Sequence, residues 1–489
     1  MVSNHDGAGL VAALRREGLL VLAPTVVPTP TEITTDNRHL TAGAAFVAVR
    51  GSLQDGHQYA GAAVDAGAGL LIVERPVERA VPQVIVTDGR LAAIALARWW
   101  FDDPARKLSL VGVTGTSGKT TTTLLVRHLL NADGLAGSIG TLGAFGGAGE
   151  TIASTAGSLT TPGPVDLQAT LAGLVTAGVK RVAMETSSHS LDQGRLDGLT
   201  FDGAVFTNLS REHLDYHRTM GEYRAAKLRL LHYLSPTGIA AVNTDDPAWD
   251  DLAGAAAVVS FGTKSSAQVR AEDVVLLPAE SRFMVRGRFG TAAIELPLPG
   301  EFNVLNALGA AAVVLGMGGE LGPLADRLRS APQVPGRMER LAERPCLVIR
   351  DYAHKPDALD RVLKTLRPIT PGRLICLFGC GGDRDKGKRP IMGRIAAELS
   401  DLTVVTSDNP RTEDPGRIIE DIVAGIPKGS PIELRVDRRE AIATALATAK
   451  PGDTELLAGQ GHETYQVIGT EYLPFDERAI VAGLIGSPQ

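Results

Sequence analysis

The stretch LVGVTGTSGKTTTTLL, residues 110–125, joins a short apolar run to a loop of glycines and hydroxyl side chains, and then to threonines and leucines. This order predicts a strand, a phosphate-binding loop and a helix. Gly115 and Gly118 leave backbone N–H groups free to face a phosphate, and the helix beginning near Lys119 adds its positive end. The strict phosphate-loop pattern requires a glycine where this chain has Val113. The loop therefore belongs to another branch of phosphate-loop proteins.

The chemistry of this loop predicts nucleotide binding, against the alternative of an ordinary glycine-rich turn. The Lys119 ammonium can neutralise β- and γ-phosphate oxygens, and the Thr120 hydroxyl can bind Mg²⁺. We expect the nucleotide to contact Gly115, Thr116, Ser117, Gly118, Lys119, Thr120 and Thr121.

Composition and length narrow the class of protein. A chain of 489 residues exceeds one hydrophobic core, which predicts about two to four domains. The formal charge of −6 argues against a nucleic-acid partner. Three cysteines without framework spacing are typical of a reducing compartment.

The first twenty residues lack the basic start and apolar core of a signal peptide, and the longest apolar stretch, residues 307–317, is too short to span a membrane. We expect a cytoplasmic protein with no membrane partner, acting as a monomer.

Two soft boundaries, at residues 101–109 and 330–340, predict domains over 1–105, 106–335 and 336–489. Near-continuous apolar strands alternate with helical stretches in the last two, which indicates parallel sheets covered on both faces. Ligands bind beyond the carboxyl ends of such strands. We therefore expect eight polar loops there to form site walls, with the two sheets facing one cleft.

Three groups of residues raise the question of a metal. Glu185 ends an apolar strand, as a second Mg²⁺ ligand would, or as a solvated strand end. His213 and His217 have helical spacing, but Glu212 precedes the first histidine, whereas zinc proteases need a glutamate directly after it. We favour one histidine assisting a magnesium site. A metal site at Cys376 and Cys380 lacks a second cysteine pair.

Lys227 lies on an apolar helix face. Helical periodicity places it with Tyr223, Leu230, Leu231 and Leu234. One interpretation is that the side chain extends to solvent. The other is a neutral amine that captures CO₂, so that the resulting carbamate can hold Mg²⁺.

Ten motifs together resemble the Mur ligases, the ATP-dependent amide-forming enzymes of peptidoglycan precursor assembly. They occur in the family's order over roughly residues 30–480: TGTSGKTT, ETSSHSLDQGRL, TNLSREHLDYH, YRAAK, GEFNVLNAL, PGRMER, DYAHKPDAL, FGCGGDRDKGKRP, SDNPRTEDP and GQGHETYQ. The resemblance implies an α/β protein of three domains: a smaller N-terminal UDP-binding α/β domain, a central phosphate-loop ATPase domain with a parallel sheet, and a C-terminal Rossmann-like domain that binds the incoming amino acid.

Within the family, Asp408-Asn409-Pro410-Arg411 is similar to the signature of members that add meso-diaminopimelate to UDP-N-acetylmuramoyl-L-alanyl-D-glutamate through an acyl phosphate. Diaminopimelate differs from lysine by a distal carboxylate, which a guanidinium can pair bidentately. A buried Arg411 without that carboxylate would be unpaired, so lysine should be rejected.

The resemblance also implies roles for individual residues. Diaminopimelate would contact Arg384, Asp408, Asn409, Pro410, Arg411, Gly459 and Glu463. The UDP-muramoyl-dipeptide would contact Asn37, Thr160, Thr161, Ser187, Gln193 and Arg195. Asn303 and Asp351 would lie near the adenosine. Two Mg²⁺ ions would be held by Thr120, Glu185, His213 and carbamylated Lys227, and Lys119, Lys227 and His213 would serve catalysis.

Four residues depart from the family pattern: Asn37, Ser117, Lys355 and Gln460. None removes a phosphate or metal ligand. Competing interpretations are a lysine-adding relative, an enzyme of the folylpolyglutamate branch, and, in a different class, a phosphate-loop switch that regulates a partner.

Overall fold

The computed structural model describes residues 5–51, 54–153, 159–254 and 257–486. These form two compact units, one comprising Met1–Ser266 with Gly309–Gly319 and the other Ala267–Leu308 with Glu320–Gln489. The predicted α/β class is confirmed, with separate sheets in the N-terminal, central and C-terminal parts of the chain. The domain boundaries near residues 105 and 335 stay predictions.

The N-terminal part contains a sheet of order β1-β5-β4-β3-β2. All its pairs are parallel except β1 with β5, which places an antiparallel strand at one edge. A core of leucine, valine and alanine side chains packs the helices onto it. Its elements are β1 Leu20–Leu22, β2 Ile33–Thr34, β3 Ala45–Val47, β4 Leu70–Val73, β5 Gln83–Val86, α1 Gly7–Arg16, α2 Ala60–Asp65 and α3 Gly89–Trp100.

The rest of the first unit contains parallel strands in the order β13-β12-β11-β6-β10-β7, followed by antiparallel β8 and β9. The predicted strand, loop and helix are β6 Ser109–Thr114 and α4 Lys119–Leu130, with the loop between them. The other elements are β7 Ala136–Gly140, β8 Gly143–Phe145, β9 Thr151–Ile152, β10 Arg181–Glu185, β11 Phe201–Phe206, β12 Leu234–Asn243, β13 Val258–Gly262, α5 Pro164–Thr176, α6 Ser188–Asp192, α7 Leu214–His217 and α8 Met220–Leu228.

The helix that carries Lys227 is shorter than the apolar pattern indicated. It ends at Leu228, and a 3₁₀ turn follows over Arg229–Tyr233. Leu234 already belongs to β12, where it is paired with Phe201 of β11. The prediction that the apolar helix face continues to Leu234 was therefore wrong beyond Leu228, because the backbone of Leu234 pairs with a neighbouring strand of the sheet.

The second unit begins with an antiparallel meander and two helices. These are β14 Val269–Leu276, β15 Ser281–Gly287, β16 Gly290–Leu296, α9 Glu301–Gly316, whose last residues belong to the first unit, and α10 Leu321–Leu328. Within the described residues no helix combines the length and the apolar character that a membrane crossing needs.

The C-terminal sheet has the order β17-β18-β22-β19-β20-β21, and only β17 is antiparallel. Apolar clusters cover both of its faces, as the sequence pattern predicted. A separate hairpin, β23 with β24, follows the last sheet strand. The elements are β17 Glu339–Ala342, β18 Leu347–Asp351, β19 Leu374–Phe378, β20 Leu402–Val405, β21 Ile432–Leu434, β22 Thr454–Ala458, β23 Tyr465–Ile468, β24 Glu471–Pro474, α11 Pro356–Leu366, α12 Lys388–Leu399, α13 Pro415–Val423, α14 Arg438–Thr448 and α15 Glu477–Ile485.

Glu455 is an unusual core residue in this sheet. It lies on β22 between β18 and β19, its side chain is fully buried, and neither carboxyl oxygen has a hydrogen-bond partner among the residues that the structure describes. Burial, with a smaller contribution from Glu477, raises the pKa of Glu455 from 4.5 to about 8. The folded chain therefore holds this proton after the unfolded chain has lost it.

This arrangement predicts a loss of stability as the pH rises from about 4.5 to about 8, since over that window the folded state binds the extra proton. Glu455→Gln cannot ionise and should remove this part of the pH dependence. We expect the variant to exceed the wild type in free energy of unfolding at pH 8 by on the order of 2 kcal/mol, and to match it near pH 5. Urea unfolding at both pH values measures this. Parallel pH profiles would contradict the assignment.

Candidate active site

The phosphate loop is held by the residues that follow β11. Gly115 has φ 145°, and a Cβ there would collide with the Thr207 hydroxyl. That hydroxyl donates to the Ser117 carbonyl at 2.8 Å, and the Asn208 side chain accepts from the Ser117 N–H at 2.9 Å. Gly118, at φ 84°, is the N-cap residue that precedes α4. The loop conformation thus requires glycine at both positions.

Two lysines converge on one carbonyl of this loop. The Gly115 oxygen accepts hydrogen bonds from the Lys119 amine at 3.0 Å and from the Lys227 amine at 2.7 Å. Lys119 also donates to the Thr116 carbonyl at 2.8 Å. The two amines therefore lie within two hydrogen-bond lengths of each other.

Lys227 is enclosed, with 1% of its surface exposed, so its side chain does not extend to solvent. Its nitrogen lies 4.3 Å from the centre of the Tyr223 ring, and the Tyr223 hydroxyl is 3.2 Å from that of Thr116. Burial and then the charge of Lys119 hold the pKa of Lys227 well below its usual value, against a smaller opposing effect of Glu212. The geometry favours a neutral amine here.

Glu185 ends β10 with its carboxylate nearly fully buried. The Glu185 carboxylate accepts two hydrogen bonds from Thr141, one from the backbone N–H at 2.9 Å and one from the side-chain hydroxyl at 3.2 Å. Glu185 lines a small cavity together with Thr120, Thr123 and Ser138. The hydroxyls of Thr123 and Ser138 are buried there, and neither has a hydrogen-bond partner within the described part of the chain.

These oxygens fit Mg²⁺, which typically takes one or two protein ligands and completes its shell with water and substrate phosphates. Among the residues that the structure describes, no three His, Cys, Asp or Glu side chains are grouped to hold a metal. A site at this loop would therefore need the oxygens of Thr120 and of phosphate as well as Glu185.

The predicted histidines lie in an aromatic cluster. The ring of His213, which precedes α7 at φ 54°, is 4.8 Å from that of His189, and His189 is 5.4 Å from His217. Burial is the main cause that lowers the pKa of both His189 and His217. For His189, neighbouring positive charge is the next cause. The pair is therefore mainly neutral at physiological pH, the form that binds a metal.

Five of the six residues assigned to the muramoyl dipeptide are connected to Glu185 or to one another. The Thr161 hydroxyl donates to the Glu185 carbonyl at 2.9 Å and accepts from the Ser187 N–H at 3.1 Å. Arg195 donates to the Thr161 carbonyl at 3.1 Å and to the Gln193 side chain at 2.6 Å. Thr160 is reached through Thr141, at 3.2 Å. The sixth, Asn37, lies in the loop after β2.

The residues assigned to diaminopimelate lie on loops of the second unit. The Asn409 amide donates to Glu463 at 2.9 Å, and the Tyr352 hydroxyl donates to the other Glu463 oxygen at 3.4 Å. Arg411 donates to the carbonyls of Gly382 at 2.9 Å and Asn409 at 3.3 Å. Burial raises the pKa of Glu463.

Glycines and a surface arginine complete this region. A Cβ at Gly459, φ 113°, would press on the Asp408 carboxylate. Arg384 is exposed, and a Cβ at Gly381 would lie 3.8 Å from its side chain and 2.9 Å from Arg411. The two arginines therefore flank the same glycine.

The residues assigned to adenosine also lie in the second unit. Asn303 donates to the Pro299 carbonyl at 2.8 Å and accepts from Asn306 at 3.2 Å. Asp351 accepts from the Met338 N–H at 2.8 Å. Burial raises the pKa of Asp351 to about 6.

Comparison with known proteins decides the family. The Mur ligase middle domain matches residues 113–314, the Mur ligase glutamate ligase domain residues 336–461, and the Mur ligase family catalytic domain residues 29–97. A protein of Gloeobacter violaceus named UDP-N-acetylmuramoyl-L-alanyl-D-glutamate–2,6-diaminopimelate ligase is 46% identical, over 91% of this chain and 92% of its own. The chain belongs to the Mur ligase family. The predicted resemblance is confirmed.

Other relatives of this Mur ligase carry the same name. One from Geobacillus thermodenitrificans is 42% identical, over 92% of this chain and 94% of its own. A solved structure with that name superimposes with a TM-score of 0.66 at 32% identity, covering 95% of this chain and 97% of the other.

Sequence reasoning missed the residues that support this site. Thr207 and Asn208 hold the phosphate loop, and Thr141 holds Glu185. The first two lie inside a recognised motif, but their role depends on two strands being neighbours, which no local pattern showed. Of the four departures from the family pattern, Gln460 is fully buried, and neither its side-chain oxygen nor its side-chain nitrogen is hydrogen-bonded to any residue in the described ranges.

Proposed function

We propose that this Mur ligase uses ATP to join meso-2,6-diaminopimelate to the D-glutamate γ-carboxylate of UDP-N-acetylmuramoyl-L-alanyl-D-glutamate, in the synthesis of peptidoglycan precursors. The relatives named for this reaction align along nearly the whole chain. In this proposal the N-terminal domain binds the UDP group, the central domain binds ATP and the C-terminal domain binds the diamine. The reaction would take place in the cytoplasm.

The observation that carries the choice of amino acid is the state of Arg411. Its guanidinium donates only to backbone carbonyls, and no carboxylate among the described residues forms an ion pair with it. Glu463, a carboxylate joined to Asn409, lies near enough for the charge of Arg411 to affect its pKa. A cation and an anion so placed suit a molecule with a carboxylate and an ammonium at one end. Diaminopimelate has both there, whereas lysine lacks the carboxylate.

The chemistry requires an activated acid, because a carboxylate is a poor electrophile. Transfer of the γ-phosphoryl group of ATP to the γ-carboxylate gives an acyl phosphate, which the neutral amine of diaminopimelate attacks with loss of phosphate. Lys119 offsets repulsion between the γ-phosphate and the incoming carboxylate. The N–H groups of the phosphate loop and the positive end of α4 hold the phosphates.

Mg²⁺, when bound, would neutralise further phosphate charge. We assign it to Thr120, Glu185, His213 and a carbamate on Lys227. The enclosed position of Lys227 and its lowered pKa support this modification, since only an uncharged amine combines with CO₂. Asn303 and Asp351 would contact the adenosine, and the dipeptide would contact the cluster around Thr161 and Arg195.

A phosphate-release assay with separately omitted substrates tests the reaction. We expect phosphate only when ATP, the UDP-linked dipeptide and meso-diaminopimelate are all present, and little with lysine. Equal turnover with lysine would favour a lysine-adding ligase. Turnover of ATP without either partner would favour a nucleotide switch.

Arg411→Ala should raise the KM for diaminopimelate about a hundredfold, because a bidentate charged contact is lost, and leave the KM for ATP within twofold. Steady-state kinetics with each substrate varied in turn measures both constants. The conservative Arg411→Lys keeps the charge without the fork and should be intermediate. An equal rise in both constants would remove Arg411 as the selecting group.

Lys227→Met keeps the length of the side chain but cannot form a carbamate. We expect it to reduce kcat by at least about a hundredfold. In ¹³C-bicarbonate, the wild type should give a carbamate NMR signal that the variant lacks. Lys264→Met, at an exposed lysine of the same unit, is the control and should keep the signal. A wild type without the signal, or a fully active Lys227→Met, would contradict the assignment.

A further inference from the structure

The hairpin β23–β24 is hydrogen-bonded to the loop formed by residues 408–411. Two of the contacts are between backbones: the Arg411 N–H donates to the Val467 carbonyl at 3.0 Å, and the Gly469 N–H donates to the Arg411 carbonyl at 2.8 Å. The hairpin therefore pairs both backbone groups of Arg411.

This pairing supports an unusual conformation. Arg411 has φ 52°, in the left-handed region that non-glycine residues rarely adopt. Such a conformation persists only where the surroundings determine it, and here the surroundings are Val467 and Gly469. The direction in which the Arg411 side chain leaves the loop thus depends on the hairpin.

Two side chains complete the attachment. The Gln466 amide donates to the Asp408 carbonyl at 2.8 Å, and the Asn409 side-chain oxygen accepts from the Val467 N–H at 2.8 Å. The other end of the Asn409 amide donates to Glu463 at 2.9 Å. Arg411 and Glu463, the two charged groups assigned to the diamine, are therefore both fixed relative to β23.

The hydrogen bond from Gln466 differs in one respect from the other three hydrogen bonds between the hairpin and the loop. This bond is made by a side chain of the hairpin, so substitution can remove it without altering the loop sequence or any backbone group. Its carbonyl partner belongs to Asp408, three residues before Arg411. Loss of the bond would loosen the loop at the end opposite to the Val467 and Gly469 contacts.

We propose that Gln466 is a positioning residue that determines specificity: through the Asp408 carbonyl it holds the 408–411 loop on the hairpin, so that Arg411 and Glu463 have the spacing that the doubly charged end of the diamine requires. Gln466 does not touch the reacting atoms. Its role depends on the proposed reaction with diaminopimelate.

The test is Gln466→Met, which has a similar length but no N–H to donate. We expect the KM for diaminopimelate to rise about tenfold, the value of one hydrogen bond to a well-placed loop, with kcat and the KM for ATP within twofold. The ratio of kcat/KM for diaminopimelate to that for lysine should fall by a similar factor. Glu471→Met introduces the same side chain at an exposed position of β24 and should leave all constants unchanged.

A double-mutant cycle separates positioning from a general loss of structure. If Gln466 acts through Arg411, Gln466→Met should change the KM for diaminopimelate less than twofold in the Arg411→Lys background. A full tenfold effect in both backgrounds, or a fall in kcat and in melting temperature without a change in KM, would overturn the proposal.

The wild type separates the two levels of the argument. If it does not use diaminopimelate at all, the proposed function fails. If it does, and Gln466→Met behaves like Glu471→Met, the function stands and the role of Gln466 is refuted.

Discussion

The carbonyl oxygen of Gly115 is the point on which the chemistry of the first unit depends. Two amines donate to it, and one of them is buried. Two positive charges that close together are unfavourable in a region of low dielectric, and burial together with the charge of Lys119 lowers the pKa of Lys227 well below its usual value. In the proposed function, Lys119 lies beside the phosphate loop and would face the phosphates of the nucleotide. Lys227, enclosed against Tyr223, would be the neutral amine that combines with CO₂. Two lysines that share one acceptor would then have different roles.

The selectivity proposed for the second unit would have a different physical origin. Arg411 and Glu463 are oriented mainly by backbone groups and by one asparagine, and no ion pair within the described residues neutralises Arg411. A guanidinium without a carboxylate costs little while water or carbonyls solvate it, but it costs more once a ligand that offers no carboxylate encloses it. In the proposed function, rejection of lysine would follow from leaving the charge of Arg411 unpaired, and this requires a loop that cannot move to find another partner.

What the sequence could predict follows from this difference. The strand, phosphate loop and helix were predictable because the spacing of glycine, lysine and threonine in one short segment determines the local structure of that segment. Helical periodicity placed Lys227 on an apolar face but did not decide between burial and a side chain that extends to solvent, and the helix ends six residues before the predicted face does. The contacts of Thr207 with the loop and of Gln466 with Asp408 were not predictable, because each joins segments 58 or more residues apart. Such pairs depend on strand order and on a hairpin register that one sequence does not reveal.

The same contrast bears on how a specificity of this kind can change. Replacing Arg411 by an uncharged residue would remove the charge. The left-handed backbone conformation would remain, because Val467 and Gly469 form hydrogen bonds with the backbone at this position. A new side chain there would leave the loop in the same direction, toward the same glycine at 381. If Arg411 selects the amino acid as proposed, accepting a different one would require a change in the hairpin contacts as well as in the arginine. Specificity would then be a property of the loop and the hairpin together, because the backbone of Arg411 is hydrogen-bonded from outside the motif that carries the charge.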